Sequence, residues 1–316
     1  MTLAAAVKRR AVELGFLACG ITDPSPIPEP ERLDRWLASG YAGVMRYLHR
    51  QAMKRKDPSL IIPEAKSVVV VLDNYYNGDA DPGPPPRVAR YARSKDYHRV
   101  TRDRMEPLAD FLRGHGAAIA HTFADSGPVP ERALALRAGL GWIGKNTMLI
   151  RPGAGSFFFI GTVFTDLALE QDHAAVTDHC GSCTRCLDAC PTDALVAPGV
   201  LDATRCISYL TIEQKGPIPE PLAARLDGWV FGCDVCNEVC PWNQRFAEAR
   251  PGNAHGPRDA FVGSGPDLFE RMDQDEFDRR FGDTPLERAG LQGMRRNFRA
   301  ALSHGTAPRR PEPGPG

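Results

Sequence analysis

The most constraining feature of this 316-residue chain is a run of four cysteines, Cys180, Cys183, Cys186 and Cys190, with Pro191 behind the last. At C-x2-C-x2-C-x3-C-P spacing, three thiolates hold one iron–sulfur cube while the fourth, turned away by the proline, ligates a neighbouring one. A second run, Cys233, Cys236 and Cys240 before Pro241, is one cysteine short, and Cys206 lies between the two runs at a position able to complete it. The crossing rule then predicts one [4Fe–4S] cluster on Cys180, Cys183, Cys186 and Cys240, and a second on Cys190, Cys206, Cys233 and Cys236. Structural zinc also accepts four thiolates, and cysteines also pair as disulfides, but the long run is more specific for clusters than paired C-x2-C knuckles are. Cys19, left over in the apolar Phe16–Gly20 stretch, reads as an inert buried residue.

A chain of this length suggests two or three domains. No run approaches the eighteen apolar residues of a membrane span. The apolar N-terminus gives way to Lys8-Arg9-Arg10, whereas an export signal carries its charges first. Thiolates destined for clusters then place the protein in a reducing cytoplasm, with no membrane contact and as a monomer.

Hydrophobic periodicity and turn residues predict helices over Leu3–Leu14, Glu31–Ala38, Thr101–Arg113 and Glu131–Ala138, and strands over Ser67–Leu72, Ile119–Ala124, Thr147–Ile150 and Ser156–Thr165. Gly78–Pro86 reads as a surface loop. The expected architecture is a mixed α/β domain over 1–168, a two-cluster ferredoxin-like domain over 169–250, a short helical C-terminal segment over 251–305 and a disordered tail over 306–316. The Ile119–Ala124 strand delivers Asp125-Ser126-Gly127-Pro128 at its C-terminal end, where ligands of α/β sheets gather. Taken alone, such an aspartate is as readily a turn residue.

Net charge is zero, yet Arg87 to Arg104 carries seven basic residues against Asp96 and Asp103, a local excess of +5, with Tyr91 and Tyr97 interleaved. A solvated arginine-rich helix has this composition, and so does a surface that neutralises phosphates and stacks bases. Gly139, Gly141 and Gly144 satisfy G-x-G-x-x-G, but a helix precedes them and a strand follows, the reverse of the dinucleotide fingerprint. They fit a tight helix-to-strand turn, with Lys145 at its exit either a solvated cation or a polar contact.

Five stretches together resemble the epoxyqueuosine reductases: Asp125–Arg132, Arg137–Asn146, the two cysteine runs, Cys206–Glu213 and Gly232–Asn243. The resemblance covers roughly residues 1–300. It implies a cobalamin-binding α/β domain joined to the two-cluster domain, as in the reductive dehalogenases. The implied reaction reduces the epoxide of epoxyqueuosine, at the wobble position of certain tRNA anticodons, to queuosine. Electrons from an external low-potential donor would pass through both clusters to cobalamin.

Asp125 matches the family's general acid, and desolvation between corrin and nucleoside would raise its pKa. Asp96-Tyr97-His98-Arg-Val-Thr101 nearly matches D-x-H-x-x-G, with threonine where glycine belongs, and the resemblance implies base-off cobalamin without a histidine ligand. Tyr97 and His98 would line the pocket or form a surface hydrogen-bonding pair. Lys145, Ser208, Lys215, Asp234 and Val235 are further expected cobalamin contacts. Cys190, Cys206, Cys233 and Cys236 would hold the cluster nearer cobalt. Only Leu286–Leu302, with Arg295, Arg296 and Arg299, resembles the opening of the HEAT-like repeats that longer members use to hold tRNA. The competing readings are a ferredoxin-type electron carrier without chemistry of its own and a cobalamin-dependent dehalogenase of a small molecule.

Overall fold

Val68, Val69, Val70, Val71 and Leu72 are all fully buried in the middle of a strand, Ser67–Asn74. An apolar run without polar alternation needs cover on both faces of its sheet, and the computed structural model supplies it. The structure describes residues 1–78, 85–173, 177–258 and 266–303. The expected tail at 306–316, residues 79–84 of the expected loop and 259–265 of the C-terminal segment lie outside the described residues.

The sheet runs Ala18–Thr22, Ser67–Asn74, Phe158–Thr165, Ala120–Phe123, with every neighbouring pair antiparallel. On one face Val69, Val71 and Val163 pack under the helices Leu3–Glu13 and Tyr97–Gly114, through Val7, Ala11, Met105, Leu108 and Leu112. On the other, Val68, Val70, Leu72 and Phe164 meet Leu134 and Ala135 of the helix Glu131–Arg137. The region is thus mixed α/β, but the sheet is antiparallel, so the carboxyl-end rule of parallel sheets is not what places Asp125. The strand Ala120–Phe123 does so by ending two residues before it.

The helix predicted from Thr101 begins four residues earlier, because Asp96 accepts a hydrogen bond from the His98 amide at 3.1 Å and caps it. The edge strand Ala18–Thr22 was not anticipated. Burial, then the Asp172 carboxylate, pushes the Cys19 thiol on that strand up to about 12, which keeps it protonated and unreactive.

A second core joins Ala89 and Ala92 to Leu210, Trp229 and Phe231, and to Phe277, Phe281, Met294 and Phe298 near the C-terminus. Its backbone seam is a short parallel pair, Arg87–Val88 with Trp229–Phe231. The C-terminal pattern resolves into helices Pro266–Arg271, Gln274–Phe281 and Gly290–Leu302, with a 3₁₀ turn at Pro285–Arg288. Among the described residues no helix is long and apolar enough to cross a membrane.

Much of the basic stretch faces inward, which neither a solvated helix nor a nucleic-acid surface anticipates. Arg87 pairs with Asp227 at 2.6 Å, Arg93 donates to the Val88 carbonyl, and Arg104 pairs with buried Asp73. Lys95, Arg99 and Arg102 remain exposed.

Candidate functional site

The cysteines of the two runs and Cys206 are near neighbours, and among the described residues no three of them already stand as a metal cage. Burial, then the neighbouring Cys180, Cys183 and Cys240, pushes the Cys186 thiol up to about 11. Burial also raises Cys236, whose largest thiol neighbours are Cys206 and Cys190, and Cys233, whose neighbours are Cys236 and Cys206. Cys236 also neighbours Cys186, so the two sets that the crossing rule expects adjoin one another. A bound cation draws the protons off thiols.

The turn after the glycines clasps both groups. Lys145 Nζ donates to the carbonyls of Gly181 at 2.6 Å and Cys183 at 2.9 Å, and Asn146 Nδ2 donates to the Cys236 carbonyl at 3.3 Å. A Cβ on Gly141 would sit 2.2 Å from the Ile150 carbonyl oxygen, so only glycine lets the short antiparallel strands Trp142–Ile143 and Leu149–Ile150 close. Lys145 is therefore committed to the first thiol loop. Ser208 turns its amide and hydroxyl toward the Cys206 sulfur. Asp234 is buried, accepts a bond from the Arg90 amide at 2.7 Å, and is pushed up by that burial. Val235 packs at the edge of the second core. Lys215 lies apart from these, on the rim of a cavity of about 700 Å³ between residues 214–223 and the Gly290–Leu302 helix.

Asp125, Tyr97 and His98 do converge. The Tyr97 hydroxyl donates to Asp125 Oδ2 at 2.5 Å, and His98 Nε2 lies 3.5 Å from the same oxygen while its Nδ1 is 2.7 Å from Asp96 Oδ1. Asp125 adopts a left-handed backbone, φ 50°, which aspartate tolerates better than most residues. Its amide donates to Glu131 Oε1 at 2.6 Å. The carboxylate is densely surrounded by protein yet 61 % exposed, the signature of a cleft floor.

Burial pushes the Asp125 carboxyl up, but the bonds from His98 and Tyr97 outweigh it and leave the group below the ordinary aspartate range. These two hydrogen bonds oppose the rise expected from desolvation between corrin and nucleoside. The protons reside on its neighbours. Burial lowers His98, but Asp125 and Asp96 raise it to about 9 overall. Burial and then Asp125 push Glu131 up to about 8.

Other residues ring the cleft, Tyr91 of the basic segment and several without a sequence signal. Burial pushes Tyr91 up, and it feels Asp234, Asp125 and Cys206, which sets the second thiol group and Asp125 around the same phenol. Tyr47 feels Glu213, Arg288, Asp125 and Arg55. Arg55 Nη2 donates to the Gly127 carbonyl at 3.3 Å, while its buried Nε has no partner. These side chains come from separate stretches, and of them only Tyr91, in the basic segment, and Glu131, inside the Asp125–Arg132 stretch, carried a sequence signal.

Comparisons with known proteins agree with this geometry. Residues 55–126 match the family model described as "Epoxyqueuosine reductase QueG, DUF1730", and 179–243 match a "4Fe-4S double cluster binding domain". An epoxyqueuosine reductase of Cellulophaga algicola is 40 % identical, the alignment spanning 92 % of this chain and 95 % of the relative. One from Xanthomonas campestris is 41 % identical over 96 % of this chain and 87 % of its own. Among solved structures, an epoxyqueuosine reductase bound to an epoxyqueuosine-modified tRNA-Tyr stem loop superposes with a TM-score of 0.84 at 32 % identity, covering 96 % of this chain and 81 % of that one. The Bacillus subtilis enzyme, solved with its catalytic aspartate loop swung out of the active site, has a TM-score of 0.83, with the same identity and coverage.

Proposed function

This chain belongs to the epoxyqueuosine reductase family, and from that premise we propose that it converts epoxyqueuosine in a tRNA anticodon to queuosine with Asp125 as the immediate proton donor. Removal of the epoxide oxygen takes two electrons and two protons and yields a carbon–carbon double bond and water. The observation that carries the reading is a solvent-open carboxylate held between His98 and Tyr97, its backbone amide anchored on Glu131, on a wall it shares with Tyr91. An electron carrier has no use for such a group.

The cleft fits cobalamin on its donor set. Arg55 Nε is a buried donor without a partner at the Asp125 loop, suited to the amide or phosphate oxygens such a cofactor carries, and Tyr91 and Tyr97 offer aromatic walls. When bound, two [4Fe–4S] clusters on the thiol groups would relay electrons from an external donor, and cobalamin would supply the reducing chemistry at carbon. Ser208, Asp234 and Val235, beside the cysteines expected to hold the nearer cluster, would help to hold that cofactor.

The chain's own contribution is the proton. In the free protein Asp125 is ionised and His98 and Glu131 carry protons, so His98 Nε2 reprotonates Asp125 Oδ2 as substrate excludes water and desolvates the carboxylate. Asp125 then delivers that proton to the oxygen leaving carbon, and a second proton, taken up from solvent through His98, follows the same route to complete the water. Tyr97 holds the carboxylate in line. We read Leu286–Leu302 as the opening of a HEAT-like repeat that borders the tRNA.

The decisive variant is Asp125→Asn. It should keep its iron content and bind cobalamin as before, while turnover falls by about 10²–10⁴-fold, the usual worth of a positioned general acid. Undiminished turnover would remove Asp125 from the chemistry.

A further inference from the structure

The strand Ser67–Asn74 ends in a carboxylate, Asp73, that is 0 % exposed. Burying such a charge is tolerable only when it is paired and hydrogen-bonded, and three groups meet it here. Arg104 forms an ion pair with Oδ1, the Thr101 hydroxyl donates to Oδ2 at 2.9 Å, and His255 Nε2 lies 2.9 Å from Oδ2. A carboxylate only accepts, so Nε2 carries the proton. His255 Nδ1 is buried with no partner, so the ring sits there at a cost.

His255 reaches this place on a strap. Asn253 donates to the Tyr76 carbonyl at 3.1 Å and to Asn77 Oδ1 at 2.8 Å, and Asn77 donates to the His255 carbonyl at 2.9 Å. Further on, the Arg258 amide donates to the Arg93 carbonyl at 2.9 Å. The strap thus crosses from the cysteine-bearing region to the sheet and to the turn that starts the Tyr97–Gly114 helix.

Two routes lead from His255 to the acid. Its ring meets Phe159 edge-on at 4.8 Å, and Phe159 stacks on Tyr97 at 4.2 Å with the planes 1° apart. Through Asp73 it also fixes Thr101 and Arg104, which lie four and seven residues beyond Tyr97 on the same helix face. Both routes bear on the phenol that donates to Asp125.

We propose that His255 is a positioning residue for the reaction, holding Tyr97 in the orientation that aligns the Asp125 carboxyl. The inference rests on Asp125 being the proton donor. A misplacement of about an ångström at a catalytic group costs up to about a hundredfold in rate, so removing the support should act on kcat and leave tRNA binding alone.

The test is a double-mutant cycle on the cofactor-loaded protein, with His255→Ala, Tyr97→Phe and the combination. The expected result for His255→Ala is a kcat roughly ten- to a hundredfold lower with KM within about twofold, and little further loss once Tyr97 is already phenylalanine. Multiplicative losses would show that His255 acts elsewhere and overturn the proposal. If His255→Ala does not fold, His255→Gln, which keeps a donor toward Asp73, takes its place in the cycle under the same criteria.

An activity-independent readout is 3-fluorotyrosine at position 97. Its ¹⁹F resonance should shift in Asp125→Asn, and should shift or broaden likewise in the His255 variant; an unchanged resonance in the His255 variant would contradict the proposal. Full activity of Tyr97→Phe together with Asp125→Asn would instead sink the proton-donor reading, so the two failures are distinguishable.

Discussion

At the scale of single residues, the site turns on where its protons rest. His98 has its ring between two carboxylates, and its folded-state pKa of about 9 lies above the ordinary value of 6.5. A raised histidine stabilises the fold fully below its unfolded pKa and loses that contribution as pH rises through the folded one. His98→Gln should therefore melt lower than wild type at pH 6, with the difference shrinking between pH ~6.5 and ~9 and gone above it; thermal denaturation across that range reads this directly. A difference independent of pH would mean the ring contributes packing alone. Asp125 was legible because it stands inside a long, ordered motif. Its lowered pKa was not, because Tyr97 and His98 lie 28 and 27 residues away along the chain and only the fold brings them to its oxygen. His255 was invisible for the same reason, sitting in a Gly- and Pro-rich stretch that reads as a connector.

At the scale of elements, patterns with strong periodicity or unbroken apolar runs were legible. Val68–Leu72 announces a buried strand, and Glu31–Ala38 forms the helix its spacing predicts. The strand Ala18–Thr22 was hidden because Gly20 interrupts an already short run. That glycine has a packing reason: a Cβ there would lie 2.4 Å from the Ala138 carbonyl oxygen, where the Glu131–Arg137 helix ends against the sheet. Backbone cannot yield as a side-chain tip can, so Gly20→Ala should cost about 1–3 kcal/mol and lower the melting temperature by several degrees. An unchanged melting temperature would show that the helix end is free to move. Its bearing on function is direct, since the same helix begins with Glu131 under the Asp125 amide.

At the scale of the whole molecule, the cysteine spacing made the double-cluster domain legible, whereas the cleft was not, because its lining comes from stretches scattered between Tyr47 and Arg288. The two groups share the clasp of Lys145 and Asn146 but draw on separate cysteines. Cys240→Ser should then lower bound iron from about eight to about four atoms per chain, leaving the second cluster in place. Loss of all iron would show that the groups assemble only together. The account as a whole is tested most directly by mass analysis of nucleosides from epoxyqueuosine-containing tRNA after incubation with the reduced, cobalamin-loaded protein. It predicts that epoxyqueuosine disappears and queuosine appears in equal amount; epoxyqueuosine left intact by protein with verified iron and cobalamin content would contradict it.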